Sequence, residues 1–157
     1  MKQNSFAPEY LDTLLDYFEE EIMGEGYFYG LMDQFEQPDR REKMDLMAQV
    51  ERYAAEAVRP LVEKYGLMPR PEPELKLIGE GWIKGRKLDW NGLMSDISVR
   101  YQEYLVQFHA LEDMAPEEDL PELNILTEHE VVAIEFADLE IANDPDCTAP
   151  LRRYLKL

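Results

Sequence analysis

Residues 67–87, "LMPRPEPELKLIGEGWIKGRK", decide how the rest of the chain is read. Prolines and glycines interrupt any helical period here, so the stretch reads as a connector, with a short extended piece at "LKLI". On either side the apolar residues recur at gaps of three and four, the signature of amphipathic helices. Two helices precede the connector, at about 8–35 and 40–65. Two follow it, at about 89–112 and 120–142, and a tail occupies 144–157. Within each pair the connection is short, which predicts two antiparallel helical hairpins. The connector is long enough to run the length of a hairpin, so the expected fold is all-α, two hairpins joined by one long crossover.

The stripes can be written out. The first helix carries Leu11, Leu14, Phe18, Ile22, Glu25, Tyr29 and Met32. The second carries Met44, Met47, Glu51, Ala54, Val58, Leu61 and Tyr65. Asp39 and Glu42 have the spacing of a capping box at its start, and Gly66 stands where a C-terminal glycine belongs. Pro60 should bend this helix, because it removes a bond to the carbonyl of Glu56. The third helix begins after Asp89, a plausible N-cap, and carries Trp90, Met94, Ile97, Tyr101, Tyr104, Phe108 and Leu111. The inner positions of the fourth are Ile125, His129, Val132, Phe136 and Leu139.

Two carboxylates interrupt these stripes. Burying an unpaired carboxylate costs several kcal/mol, so core stripes normally exclude glutamate. Glu25 and Glu51 lie equally far from a turn near residue 38, which puts both roughly 20 Å from it at 1.5 Å per residue. They are expected to face one another inside the hairpin. Glycines 24, 26 and 30 surround Glu25 in "EIMGEGYFYG", residues 21–30, at a cost of roughly 0.5–1 kcal/mol each relative to alanine. Missing side chains there predict a constriction, where another backbone, or a second copy of the chain, presses on the first helix.

Paired glutamates on hairpins with a central crossover resemble the ferritin-like superfamily, including rubrerythrin-like and carboxylate di-iron proteins. The resemblance implies a four-helix bundle with one glutamate from the first and third helices and a Glu-x-x-His from the second and fourth. Glu25 matches the first-helix ligand and Glu51 the start of the second-helix motif, with Ala54 in the histidine position. Glu130 and Ala133 match the fourth-helix motif, so that histidine is missing as well. His129 is the neighbouring imidazole, about 100° around the helix from Glu130. The third helix offers Tyr101 and Tyr104, with Glu103 off its stripe.

The implied metal site is therefore altered. Its candidate ligands are Glu25, Glu51, Glu130 and His129, with Tyr29, Tyr101 and Tyr104 around them. The expected cofactor is none, or a weakly bound metal ion such as iron or manganese. Buried acids held by tyrosine hydroxyls and Arg100, a weak metal site, and an open pocket for a small polar ligand all remain compatible with the residues. The functional expectation is a ferritin-like helical protein with a buried carboxylate site, either non-catalytic or with an altered, weak metal site, and the alternative is a metal-dependent (iron or manganese) oxidoreductase of the carboxylate-bridged type.

Charge and composition exclude several other classes. With 34 acidic against 16 basic residues among 157, the chain carries a formal charge of −18. Such a surface repels phosphate backbones, so neither nucleic acid nor an anionic membrane is an expected partner. No apolar run is long enough for a spanning helix, and the start lacks a signal-peptide core, so a cytoplasmic location is expected. Cys147 is the only cysteine, which excludes an internal disulfide. The tail sets Leu151, Tyr154 and Leu157 among Arg152, Arg153 and Lys156, and is expected to dock on its own or a partner's helices, possible homodimer included.

Overall fold

A computed structural model describes residues 6–86 and 88–157, so the first five residues and Lys87 of the crossover lie outside it. The described chain is all-helical, without a strand. The helices are α1 (Tyr10–Met32), α2 (Pro38–Lys64), α3 (Glu72–Gly81), α4 (Trp90–Met114), α5 (Leu120–Ile141) and α6 (Ala149–Leu155), with a 3-10 turn at Glu117–Asp119 before α5. None of the described helices is long and apolar enough to cross a membrane.

Local chemistry sets the ends. The Asp89 carboxylate accepts the backbone N–H of Gly92 at 3.1 Å and caps α4. Gly66 takes a positive φ of 63° after α2. Its N–H bonds the Glu63 carbonyl while that of Leu67 bonds Val62, the paired closure of a Schellman motif. The start of α2 differs from the expected capping box. Its N-cap is Gln37, whose side chain makes no cap bond, and Pro38 opens the first turn. Asp39 already lies inside the helix, where it bonds Lys43. The helix runs through Pro60 to Lys64.

Within the crossover, "LKLI" is helical rather than extended. Pro71 is the N-cap of α3 and Pro73 lies in its first turn, where a proline removes only an N–H that has no partner anyway. Glu72 and Glu74 add favourable charge at that end. Leu75 is fully buried and joins the core, while Leu77 points outward.

α1 packs along α2, and α4 along α5; α2 also meets α5, whereas α1 touches α4 only sparsely. α3 lies on α1, and α6 lies on α5 and α2. Apolar side chains fill two clusters. One holds Phe28, Leu31, Met44, Met47, Trp90, Ile97 and Phe136. The other holds Tyr10, Leu14, Phe18, Val58, Leu61, Phe108 and Leu126. In sequence, the buried Glu51, His129 and Glu130 fall between the residues that α2 and α5 give to each cluster, and the buried Glu21 sits beside Ile22 and Met23 at the end of the α1 stretch that belongs to the second.

The glycines of "EIMGEGYFYG" are explained by their neighbours. A Cβ on Gly26 would strike the backbone of Lys76, one on Gly79 the carbonyl of Met23, and one on Gly30 the side chain of Ile83. The constriction is therefore made with α3 of the same chain. Gly24 is different: its missing side chain leaves room for the carboxyl group of Glu51, whose Cδ would lie 2.9 Å from a Cβ there.

Three inner positions are corrected. Ile125 is largely outside the core at 39% exposure. On α1 the deep positions are Phe28 and Leu31 instead of Tyr29 and Met32, because α3 packs on α1 as well as α2 does and widens the face that is covered. In the tail, Leu151 and Tyr154 dock as expected, the Tyr154 hydroxyl donating to the Ile125 carbonyl at 2.7 Å. Leu157 remains exposed.

Candidate metal centre

Four buried side chains converge between the helices: Glu21 from α1, Glu51 from α2, and His129 and Glu130 from α5. His129 is the pivot, with 1% of its surface exposed. Its Nδ1 faces the backbone carbonyl of Leu126, one turn earlier. A carbonyl oxygen only accepts, so Nδ1 carries the proton and donates. In the neutral ring Nε2 is then a bare lone pair, and it is aimed at carboxylates. It lies 2.8 Å from Glu21 Oε2, 3.0 Å from Glu130 Oε1 and 3.4 Å from Glu51 Oε2.

None of these short separations has the direction of a good hydrogen bond. Nε2 of His129 and the Oε2 atoms of Glu21 and Glu130 are buried without a hydrogen-bond partner. Such atoms are rare in folded proteins, because each forfeits its hydration. Two states relieve the arrangement: added protons, or a cation.

Without a cation, burial and the crowded charges push these groups away from their ordinary pKa values. Burial, then the charge of Glu51, raises the Glu21 carboxyl well above its usual range. Burial also raises Glu130, with His129 opposing. Burial acts in the same direction on Glu51, but hydrogen bonding with Glu21 and the nearby imidazole bring it below its ordinary value. For His129, burial opposes the charged form, yet the carboxylates of Glu21, Glu130 and Glu51 win and raise it well above normal.

A cation fits the donor set. One ligand atom each from Glu21, His129 and Glu130 lie within 4.8 Å of one another. Donors bound at about 2.1 Å around one ion stand roughly 3.0–3.4 Å from each other, close to the separations around Nε2. Moreover, an imidazole that donates its far N–H to a backbone carbonyl is the usual second-sphere arrangement of a metal-bound histidine.

Glu25, the expected partner of Glu51, is elsewhere. It is buried, and its two oxygens are held by Arg52 at 2.8 Å each, with Lys76 of α3 at 3.1 Å. Arg52 also bonds Glu56 and Glu72, joining α1, α2 and α3 in one ionic clasp. The first-helix carboxylate of the cluster is thus Glu21, one turn earlier. The sequence carried a signal for it: Leu14, Phe18, Glu21 and Phe28 also follow gaps compatible with one helical face. Arg100 does not hold the cluster either; it pairs with Asp96 on the surface of α4.

The tyrosines divide similarly. Tyr29 titrates upward through burial and then Asp45 and Glu25, away from the cluster. Tyr101 is raised well above normal by burial, then by the charges of Glu130 and Glu51, so it stands beside the site. The Tyr104 ring packs against that of Tyr101 at a tilt of 55°, with ring centres 5.2 Å apart. Ala54 and Ala133 are buried.

A cavity of about 640 Å³ reaches the cluster through the sparse α1–α4 contact. Glu21, Glu51 and Glu130 line its inner end, and Gly24, Tyr101 and Phe108 its walls. No protein-family model, curated protein or solved structure matches the chain.

Proposed function

We propose that the chain is a ferritin-like four-helix protein that binds one divalent metal ion through His129 Nε2 and the carboxylates of Glu21, Glu51 and Glu130. In this reading α1, α2, α4 and α5 are the four helices, and α3 is an elaboration of the crossover. The fold assignment is supported by the long connection between the second and third of these helices. The observation that carries the metal reading is the orientation of His129. Its Nδ1 is committed to the Leu126 carbonyl, and its Nε2 faces three buried carboxylates without a hydrogen bond.

A donor set of three oxygens and one nitrogen suits the harder first-row ions, manganese(II) or iron(II), more than a thiolate-seeking ion. With alanine at 54 and 133, a second ion would lack imidazole ligands, so the site is mononuclear. The cavity favours a catalytic role over a structural one, because a purely structural ion needs no open face. A metal bound there would supply Lewis-acid or one-electron chemistry. The chain's own part is to hold the carboxylates, exclude bulk water with the two apolar clusters, and leave one side open.

The test is metal binding by calorimetry and elemental analysis, with manganese(II) and, without oxygen, iron(II). One ion per chain is expected, lost in Glu21→Gln and His129→Gln but kept in Glu25→Gln. Absence of binding by the wild-type chain, or full binding by His129→Gln, overturns the reading.

A further inference from the structure

The cavity is far larger than a coordination sphere requires. Its volume of about 640 Å³ lies within the range of roughly 300–1,000 Å³ typical of small-molecule sites. Its walls are unusually aromatic: Tyr27, Trp82, Tyr101, Tyr104 and Phe108 come from α1, the end of α3 and α4. Tyr27 and Trp82 stand with ring centres 5.9 Å apart, and Tyr101 and Tyr104 form a second pair. Ring faces of this kind attract cations through their quadrupole.

The charges select in the same direction. Three arginines line the cavity, but Arg70 is bound to Glu19 at 3.2 Å and Arg100 to Asp96 at 3.1 Å. That leaves Arg86 against the exposed carboxylates of Asp16 and Glu20 in the outer part. At the inner end, a divalent ion bound among the three carboxylates would leave them a net negative charge. An anion would therefore meet net negative potential at both ends, and in a chain of formal charge −18 no distant surplus of cations offsets this.

We propose that the cavity binds a small organic cation, an amine attached to a flat apolar body, with its ring between the aromatic walls. The inference rests on the metal reading only for the identity of what lies at the inner end. Trp82 and Glu20 line the cavity and are both exposed, so that one can supply a ring face and the other a carboxylate.

The test is calorimetric titration of metal-loaded and chelator-treated protein with 2-phenylethylammonium and with 3-phenylpropanoate, which share a ring and differ in charge. The amine should bind at least about tenfold more tightly than the acid, and more weakly as salt is added. Trp82→Ala should weaken the amine about five- to tenfold and Trp82→Phe should recover most of that loss. Glu20→Gln, a change at an exposed site, should weaken it about threefold. Equal or tighter binding of the acid, no amine binding at millimolar concentration, or an amine affinity that neither variant moves would overturn the proposal. Metal content is measured on the same samples. Protein that prefers the amine but takes up no metal loses the metal reading and keeps this one; protein that takes up metal but ignores the amine does the reverse.

Discussion

His129 Nε2 lies 2.8 Å from Glu21 Oε2, and both atoms are buried without a hydrogen bond. The contact joins α1 to α5, two helices far apart in sequence. It also leaves two good ligand atoms pointed at one another with only a proton, or a cation, to reconcile them. Several consequences can be measured.

Glu21 and Glu25 should separate cleanly by mutation. Glu21→Gln is expected to abolish metal binding while costing little stability in the metal-free chain, since the amide keeps the shape and removes a charge from a crowded site. Glu25→Gln should do the opposite. It breaks a two-point bond to Arg52, and because Arg52 is partly solvated and retains Glu56 and Glu72, the loss is about 1–2 kcal/mol. Paired metal titrations and denaturant melts of the two variants check this.

The three buried glycines should respond differently to the same added methyl group. In Gly26→Ala and Gly79→Ala the new Cβ collides with backbone, which cannot yield locally, so each should lose about 2–3 kcal/mol. In Gly24→Ala it meets only the end of the Glu51 side chain. Better helix propensity, worth about 0.5–1 kcal/mol, should then nearly offset the strain, while displaced Glu51 weakens metal binding. Thermal melts and metal titration of all three variants separate the two outcomes.

Asp119 sets the acid limit of the fold. It is fully buried and accepts from Tyr10 at 2.7 Å, Tyr65 at 2.6 Å and Lys64 at 2.7 Å. Burial opposes its ionisation, but Lys64 and the two hydroxyls prevail and hold its pKa below the ordinary aspartate value. A depressed carboxylate contributes stability above its unfolded pKa and loses it as pH falls through the folded one. Wild-type stability should therefore drop below about pH 4. Asp119→Asn should cost about 2 kcal/mol at pH 7, discounted for the solvated Lys64, and less as the pH is lowered. Urea titrations at pH 3 to 7 give the comparison.

The C-terminal helix should prove integral to the core. Leu151 is fully buried among residues of α2 and α5. Leu151→Ala is expected to cost about 2–4 kcal/mol, and Leu157→Ala at its exposed site almost nothing. Equal melting temperatures for the two variants would count against docking.

The helices were legible because their signal is local. The stripe Met44, Met47, Glu51, Ala54, Val58 and Leu61 is buried throughout, and so are Trp90, Met94, Ile97, Phe108 and Leu111. Asp89 and Gly66 mark ends as their chemistry requires. Glu51, His129 and Glu130 stood out for a related reason, as polar groups on or beside apolar faces, and all three are buried. Helix α3 was not, because its prolines resemble those of a loop until their place in the first turn is known.

What the sequence determined by itself was the set of long helices, their connectivity, and the burial of several carboxylates in midchain positions. What it left open was which of those carboxylates would meet. Glu21 and Glu25 are one turn apart and differ by only about 40° in direction around α1, so periodicity cannot choose between them. The choice came from the neighbours. α3, drawn onto α1 through Gly26 and Gly79, brings Lys76 to Glu25, while α2 brings Arg52 to it. Glu21 is left on the side facing α5, where His129 completes the cluster. The energy of a buried charge depends on the partner within a few ångströms, and only the packing of helices remote in sequence supplies that partner.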